Sequence, residues 1–169
     1  MNRNFLGSLL LIAVAALLIL RPWDGEPSAG ADEPRGAAAY VTRVVDGDTV
    51  EARIGDEVED VRLIGIDTPE TVKPDTPVQC FGPQASSFTH RVLTEQPVRM
   101  VFGVERRDIY GRLLAYVYID HRFFNAELVR RGLARTLEIP PNTLHSALFR
   151  SLELRAARGG RGLWGACGP

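Results

Sequence analysis

Cysteine is scarce in this chain, with two residues in 169, and histidine is nearly as rare, with three. Two cysteines exclude a dense disulfide framework, so the fold must rest on an apolar core. At 45% hydrophobic and 24% charged residues, a domain of roughly 130 residues can bury such a core unaided. His90, His121 and His145 share no spacing with one another or with an acidic cluster, so they read as surface or helix-cap residues and not as acid–base groups. Net charge is almost absent, at −1, and argues neither for nor against a polyanionic partner. Internal repeats are missing, which excludes a solenoid.

A full-length membrane span is missing too. Phe5 to Leu20 is uncharged and apolar apart from Gly7 and Ser8, but its 16 residues fall short of the ~20 that a span needs. Arg3 precedes the run, and Trp23 suits a membrane interface. No small-x-small cleavage site follows at once, and Ala29-Gly30-Ala31 lies well beyond the run. Residues 1–23 therefore fit an uncleaved signal anchor better than a cleaved signal peptide. Residues 24–38 are rich in Gly, Ala, Pro, Asp and Glu and read as a flexible linker. The folded domain is expected over 39–169, outside the cytoplasm, either anchored to a membrane or secreted. Export with an even cysteine count allows a Cys80–Cys167 bridge, with two free thiols as the alternative.

The charge that is present is unevenly spread. Residues 39–90 hold 4 basic and 10 acidic side chains, whereas residues 91–169 hold 13 basic and 7 acidic ones. An acidic first half suits a cation and a basic second half suits an anion, unless the fold mixes the two.

Within the domain, Tyr40–Val45, Thr49–Ile54, Val58–Ile66, Val98–Val104 and Leu113–Ile119 read as strands, with Asp46-Gly47-Asp48 and Gly55-Asp56 as turns. Pro83 to Thr94 has helical apolar spacing. Asn125 can cap a short helix over Ala126–Arg131, ended by Gly132. Asn142 or Thr143 can cap a last helix with Leu144, Leu148, Leu152 and Ala156 on one stripe. Three strands, a helix, two strands and two helices fit a mainly β, α+β domain: a five-stranded OB-fold barrel with about three packed helices.

Two constellations carry chemistry. Asp46, Asp48, Asp67 and Glu70 lie at strand ends that a hairpin can bring together, and carboxylates with backbone carbonyls are the donors a hard cation takes. Without a cation their mutual repulsion would raise their pKa values. Arg62 and Arg112 offer planar, permanently charged forks suited to phosphate oxygens. The plainer alternative for each is a turn, a strand stop or a surface ion pair. The arginines at 130, 131, 135, 150, 155, 158 and 161 read as solvated helix faces, with a nucleic-acid-facing surface as the second possibility.

In their order, these residues resemble the staphylococcal nuclease family. The resemblance rests on Asp46-Gly47-Asp48-Thr49-Val50, on Arg62-Leu63-Ile64-Gly65-Ile66-Asp67-Thr68-Pro69-Glu70 and on Asp108-Ile109-Tyr110-Gly111-Arg112-Leu113-Leu114-Ala115-Tyr116. Gly82-Pro83-Gln84-Ala85-Ser86 and the stretch from Asn125 to Ala134 match as well, so the likeness runs from about Val41 to Trp164. It implies an OB-fold barrel and calcium-dependent cleavage of DNA and RNA. It puts calcium on Asp48, Asp67 and the carbonyl of Thr68, makes Glu70 the general base, and gives phosphate to Arg62 and Arg112, with Tyr110 on a phosphate of the bound nucleotide. The partners it implies are DNA and/or RNA; an uncleaved N-terminal segment would add a membrane, and the domain is expected to act as a monomer. The alternative is a non-catalytic OB module that binds nucleic acid or a protein. The chain departs from the pattern at Ile109, where a lysine is expected, in the lysine-poor 71–79 loop, and after Ala134, where a base-stacking tyrosine is missing.

Overall fold

The computed structural model describes residues 36–72 and 74–167. These belong to one of two compact units, Pro34–Pro169; the anchor or signal segment and nearly all of the linker lie outside the described residues. Among the described residues, no helix is long and apolar enough to cross a membrane.

Alternating burial builds five main strands: β1 (Ala37–Val44), β2 (Thr49–Ile54), β3 (Glu57–Leu63), β5 (Pro97–Arg107) and β6 (Leu113–Ile119). Val50 and Ala52 on β2, and Val61 and Leu63 on β3, point inward at 0–1% exposure while Glu51, Arg53 and Asp60 between or beside them are more exposed, as the two-residue period of a strand requires. β1 pairs antiparallel with β2 and β5, β2 with β3, and β5 with β6. A parallel pairing of β3 with β6, with Val61 opposite Leu113, closes the barrel and removes its edges.

The expected strand over Val58–Ile66 is broken. β3 stops at Leu63, and a separate short strand, β4 (Ile66–Asp67), pairs instead with β8 (Arg135–Thr136). Gly65 makes the break: its φ is +80°, and a Cβ there would sit 2.4 Å from the Phe149 ring. A side chain is excluded on both counts. The break turns Asp67 out of the barrel and toward the cleft.

Helix α1 (Gly82–Leu93) carries Pro83 in its first turn, where a proline is tolerated, and lies across the β1–β2 turn, where the Thr89 hydroxyl donates to the Gly47 carbonyl at 2.7 Å. β7 (Arg122–Phe123) leads into α2 (Phe124–Arg131), which ends at Gly132 with φ +70°. α3 (Ser146–Arg158) and α4 (Leu163–Ala166) complete the chain.

Both expected asparagine caps are corrected. Asn125 is within α2 and fully buried; it accepts from the Val117 N–H at 2.9 Å and donates to the Ile64 carbonyl at 3.0 Å. Asn142 grips β5 through the Glu105 N–H and carbonyl. An asparagine amide serves a cap or a remote backbone equally well, and here the irregular backbone beside Gly65 and at the end of β5 claims it. α3 buries Phe149, Leu152 and Ala156, while Leu148 within it and Leu144 before it are exposed. His145 stands at the N-cap position of α3, as one of the roles expected of it, but its side chain makes no capping bond and packs edge-on to Tyr116 with ring centroids 4.7 Å apart.

The Asn125→Ala variant is expected to lose about 2–3 kcal/mol of stability, since it strands one buried N–H and one buried carbonyl; a urea titration reads this.

Cys80 and Cys167 are bridged across 87 residues of sequence. Cross-linking a loop of that length removes up to about 4–5 kcal/mol of unfolded-chain entropy. The Cys80→Ser/Cys167→Ser variant should therefore melt well below the parent, with non-reducing thermal scans as the check.

Candidate active site

Turn, strand break and strand start converge on one cleft of about 560 Å³. Its walls include Asp46, Asp48, Arg62, Asp67, Thr68, Glu70, Tyr110 and Arg112, so every residue singled out from sequence for the chemical site reaches one place.

Asp48 is buried in the tight turn after β1. Its Oδ2 accepts from the Thr68 N–H at 2.7 Å and from the Thr68 hydroxyl at 2.9 Å, while the Thr49 hydroxyl donates to Oδ1 at 3.2 Å. The Asp46 carboxylate accepts from the Asp48 N–H at 3.0 Å, which forms the turn. Gly47 lets the turn press against the 66–70 segment: a Cβ there would lie 2.7 Å from the Thr68 hydroxyl.

Arg62, with its side chain 13% exposed, joins the acidic groups. Its Nη2 lies 3.2 Å from Asp48 Oδ2 and 2.9 Å from Asp67 Oδ1; its Nη1 donates to the Leu63 and Ile66 carbonyls at 3.1 and 2.9 Å. The guanidinium plane is thus fixed on both edges, an arrangement a lysine cannot reproduce.

The acidic groups crowd one another. Burial, followed by the charge of Asp48, pushes the Asp46 carboxyl up to about 6. The same two causes raise Asp67, partly offset by Arg62. These are the signs of carboxylates short of positive charge. Oxygen donors on Asp48, Asp67 and the Thr68 carbonyl have the chemistry a hard cation takes, and a cation there would relieve the crowding. Among the described residues no three acidic, histidine or cysteine side chains enclose a metal by themselves, so carbonyl and solvent oxygens would complete the shell, as such ions permit.

Glu70 stands at the head of the loop before α1. Its Oε1 accepts from the Thr71 and Val72 N–H groups, both at 2.8 Å. Gln79 brackets its backbone, accepting from the Glu70 N–H at 3.0 Å and donating to the Glu70 carbonyl at 2.9 Å.

Across the cleft, Asp108 aims Arg112. Its Oδ2 takes both Arg112 Nε and Nη2 at 2.7 Å, and its Oδ1 accepts from the N–H groups of Tyr110 and Arg112. Tyr110 is 78% exposed, with the Arg112 guanidinium carbon 5.4 Å from its ring centre. The orienting role of Asp108 was missed from sequence, although an aspartate two and four residues before two turn N–H groups signals a side-chain-capped turn. Gln79 carried no such signal.

A second, apolar pocket of about 330 Å³ opens beside the cleft, sharing Arg62, Tyr110 and Arg112 and walled by Leu114, Leu137 and Ile139. Aliphatic side chains stand where an aromatic one was sought in the sequence.

A family model described as staphylococcal nuclease homologue matches residues 60–166. The chain is 40% identical to a thermonuclease of Staphylococcus intermedius over 158 residues, covering 92% of this chain and 94% of that protein. It is 39% identical to a thermonuclease of Staphylococcus hyicus over 160 residues, with 92% and 95% covered. Endonuclease YncB of Bacillus subtilis is 37% identical over 128 residues, with 75% of this chain and 61% of that protein covered.

Proposed function

Because the chain belongs to the staphylococcal nuclease homologue family, we propose that it is a calcium-dependent nuclease hydrolysing phosphodiester bonds in DNA, RNA or both. The observation that carries the reading is the convergence of two fixed guanidiniums, a crowded carboxylate group and a separate glutamate on one cleft. A structural salt-bridge network would not leave carboxyls raised by burial and by a neighbouring carboxylate or place Tyr110 and Arg112 at an open wall.

A phosphodiester is already an anion, and attack by water adds charge to it. Arg62 and Arg112 hold the phosphate and offset the charge that builds on its oxygens, at no reorganisation cost, because Asp67, Asp108 and two backbone carbonyls already hold them in place. Glu70 takes a proton from the attacking water onto its carboxylate; two backbone N–H groups keep that carboxylate in place. Asp48, Asp67 and the Thr68 carbonyl would hold calcium, which when bound adds Lewis-acid neutralisation at the phosphate. The disulfide and the apolar N-terminal run support a place outside the cytoplasm.

Single- and double-stranded DNA and RNA digested with calcium and with chelator test the reading. Cleavage is expected only with calcium, and no calcium-dependent cleavage of any substrate would defeat it. The Glu70→Gln variant should keep its fold, because glutamine preserves the acceptor for Thr71 and Val72, and should lose about 10²–10⁴-fold in turnover.

A further inference from the structure

Beyond the cleft, the arginines of the second half are not all equivalent. Arg150 on α3 pairs with Glu138, in the segment after β8. Arg130, Arg131 and Arg161 instead line a groove of about 630 Å³ with Arg91, Phe81 and Phe88, and among the described residues no acidic one contributes to its wall. The guanidiniums of Arg91 and Arg131 lie over the Phe88 ring, 5.5 and 4.8 Å from its centre, so the apolar face of the ring presents them. One carboxylate, Glu127, holds Arg130 and Arg131 from the helix side. Among the described residues Arg91 and Arg161 make no ion pair.

The groove is also connected to the cleft. Asp67 faces Arg135 across the β4–β8 pair. The Arg135 guanidinium stacks on Trp164 at 4.5 Å. The Trp164 backbone N–H donates to the Arg161 carbonyl at 3.1 Å, and the Arg161 side chain donates to the Arg130 carbonyl at 3.4 Å. A chain of arginines and aromatics therefore leads from the acidic cleft over α2 to Phe88 and Arg91.

We propose that this groove is a second phosphate-binding track, which takes the backbone of a nucleic-acid strand several nucleotides away from the bond being cut. The proposal rests on the nuclease reading for its choice of polyanion. Guanidiniums mounted on aromatic rings, with one carboxylate against four positive charges, suit successive phosphodiesters. An open groove rather than a closed pocket suits a strand that continues past the site.

The test is binding of the full chain in chelator, so that nothing is cut, to a labelled single strand of about 30 nucleotides, longer than the ~4–16 that an OB barrel covers, and to a labelled trinucleotide. Fluorescence anisotropy is read between roughly 50 and 200 mM salt. The Arg91→Ala/Arg161→Ala variant should bind the long strand more weakly, with the logarithmic salt slope reduced by about 1.4, the value for two lost single-strand phosphate contacts. Its trinucleotide binding should not change. The Arg91→Lys/Arg161→Lys variant should keep the parent slope, which separates charge from misfolding. An unchanged slope for the alanine variant, or an equal loss on the trinucleotide, would overturn the proposal. So would loss of binding to phosphatidylserine vesicles with DNA binding intact, which would make the groove a lipid-facing surface. Cleavage by the parent protein with calcium is scored separately, so that failure of the nuclease reading shows as uncut substrate whatever the salt slopes.

Discussion

The Arg62→Ala variant is expected to lose at least about 10²–10³-fold in turnover and to unfold more easily. Two effects add here. The side chain supplies fixed positive charge to the phosphate, and it also neutralises Asp48, which is buried. Removing one member of a buried pair costs roughly 3–5 kcal/mol, because the other charge is left uncompensated. Two carbonyls, of Leu63 and Ile66, lose a donor as well. Thermal melts with and without calcium separate the effects: a cation near Asp48 should restore stability but not rate. The Arg62→Lys variant keeps the charge, yet its three donors cannot span four acceptors on two edges, so it should recover only part of either loss. Full turnover in Arg62→Ala with saturating calcium would sink the assigned role.

The Arg112→Ala variant should show the same order of kinetic loss, about 10²–10³-fold, with little change in melting temperature. Its guanidinium is more exposed than that of Arg62, and its partner Asp108 stays satisfied by the N–H groups of Tyr110 and residue 112. An Asp108→Asn variant supplies the contrast. It keeps a turn acceptor but weakens the ionic hold on Arg112, so turnover should fall less than in Arg112→Ala. If Arg112→Ala lost stability in step with rate, Arg112 would be a structural residue.

Much of this site was legible in the sequence because its residues sit in short segments whose local geometry is dictated locally. Asp46-Gly47-Asp48 is a turn under any reading, and the run from Arg62 to Glu70 carries its own strand and stop, although the break at Gly65 shows only once Phe149 packs against it. The period-2 burial of β2 and β3 was likewise readable. The readings that failed were those in which distant backbone competes for one side chain. Asn125 and Asn142 look like caps until Ile64, Val117 and Glu105 are brought to them by the barrel. The stripe on α3 was offset because Phe149, anchored against Gly65, sets which side of the helix faces inward. The groove at Phe88 and Arg91 is invisible in sequence, since α1, α2 and the 161–162 turn contribute to it from far apart.

The bridge between Cys80 and Cys167 makes a covalent ring of everything between them. The exposed turn at Ile109 and Tyr110 lies inside that ring. A protease that cuts there leaves Arg62 and Glu70 on one piece and Arg112 on the other, yet the two pieces remain one molecule. The nicked protein keeps every barrel pairing within reach of its partner, so a single clip in a protease-rich setting should show as two bands only after reduction.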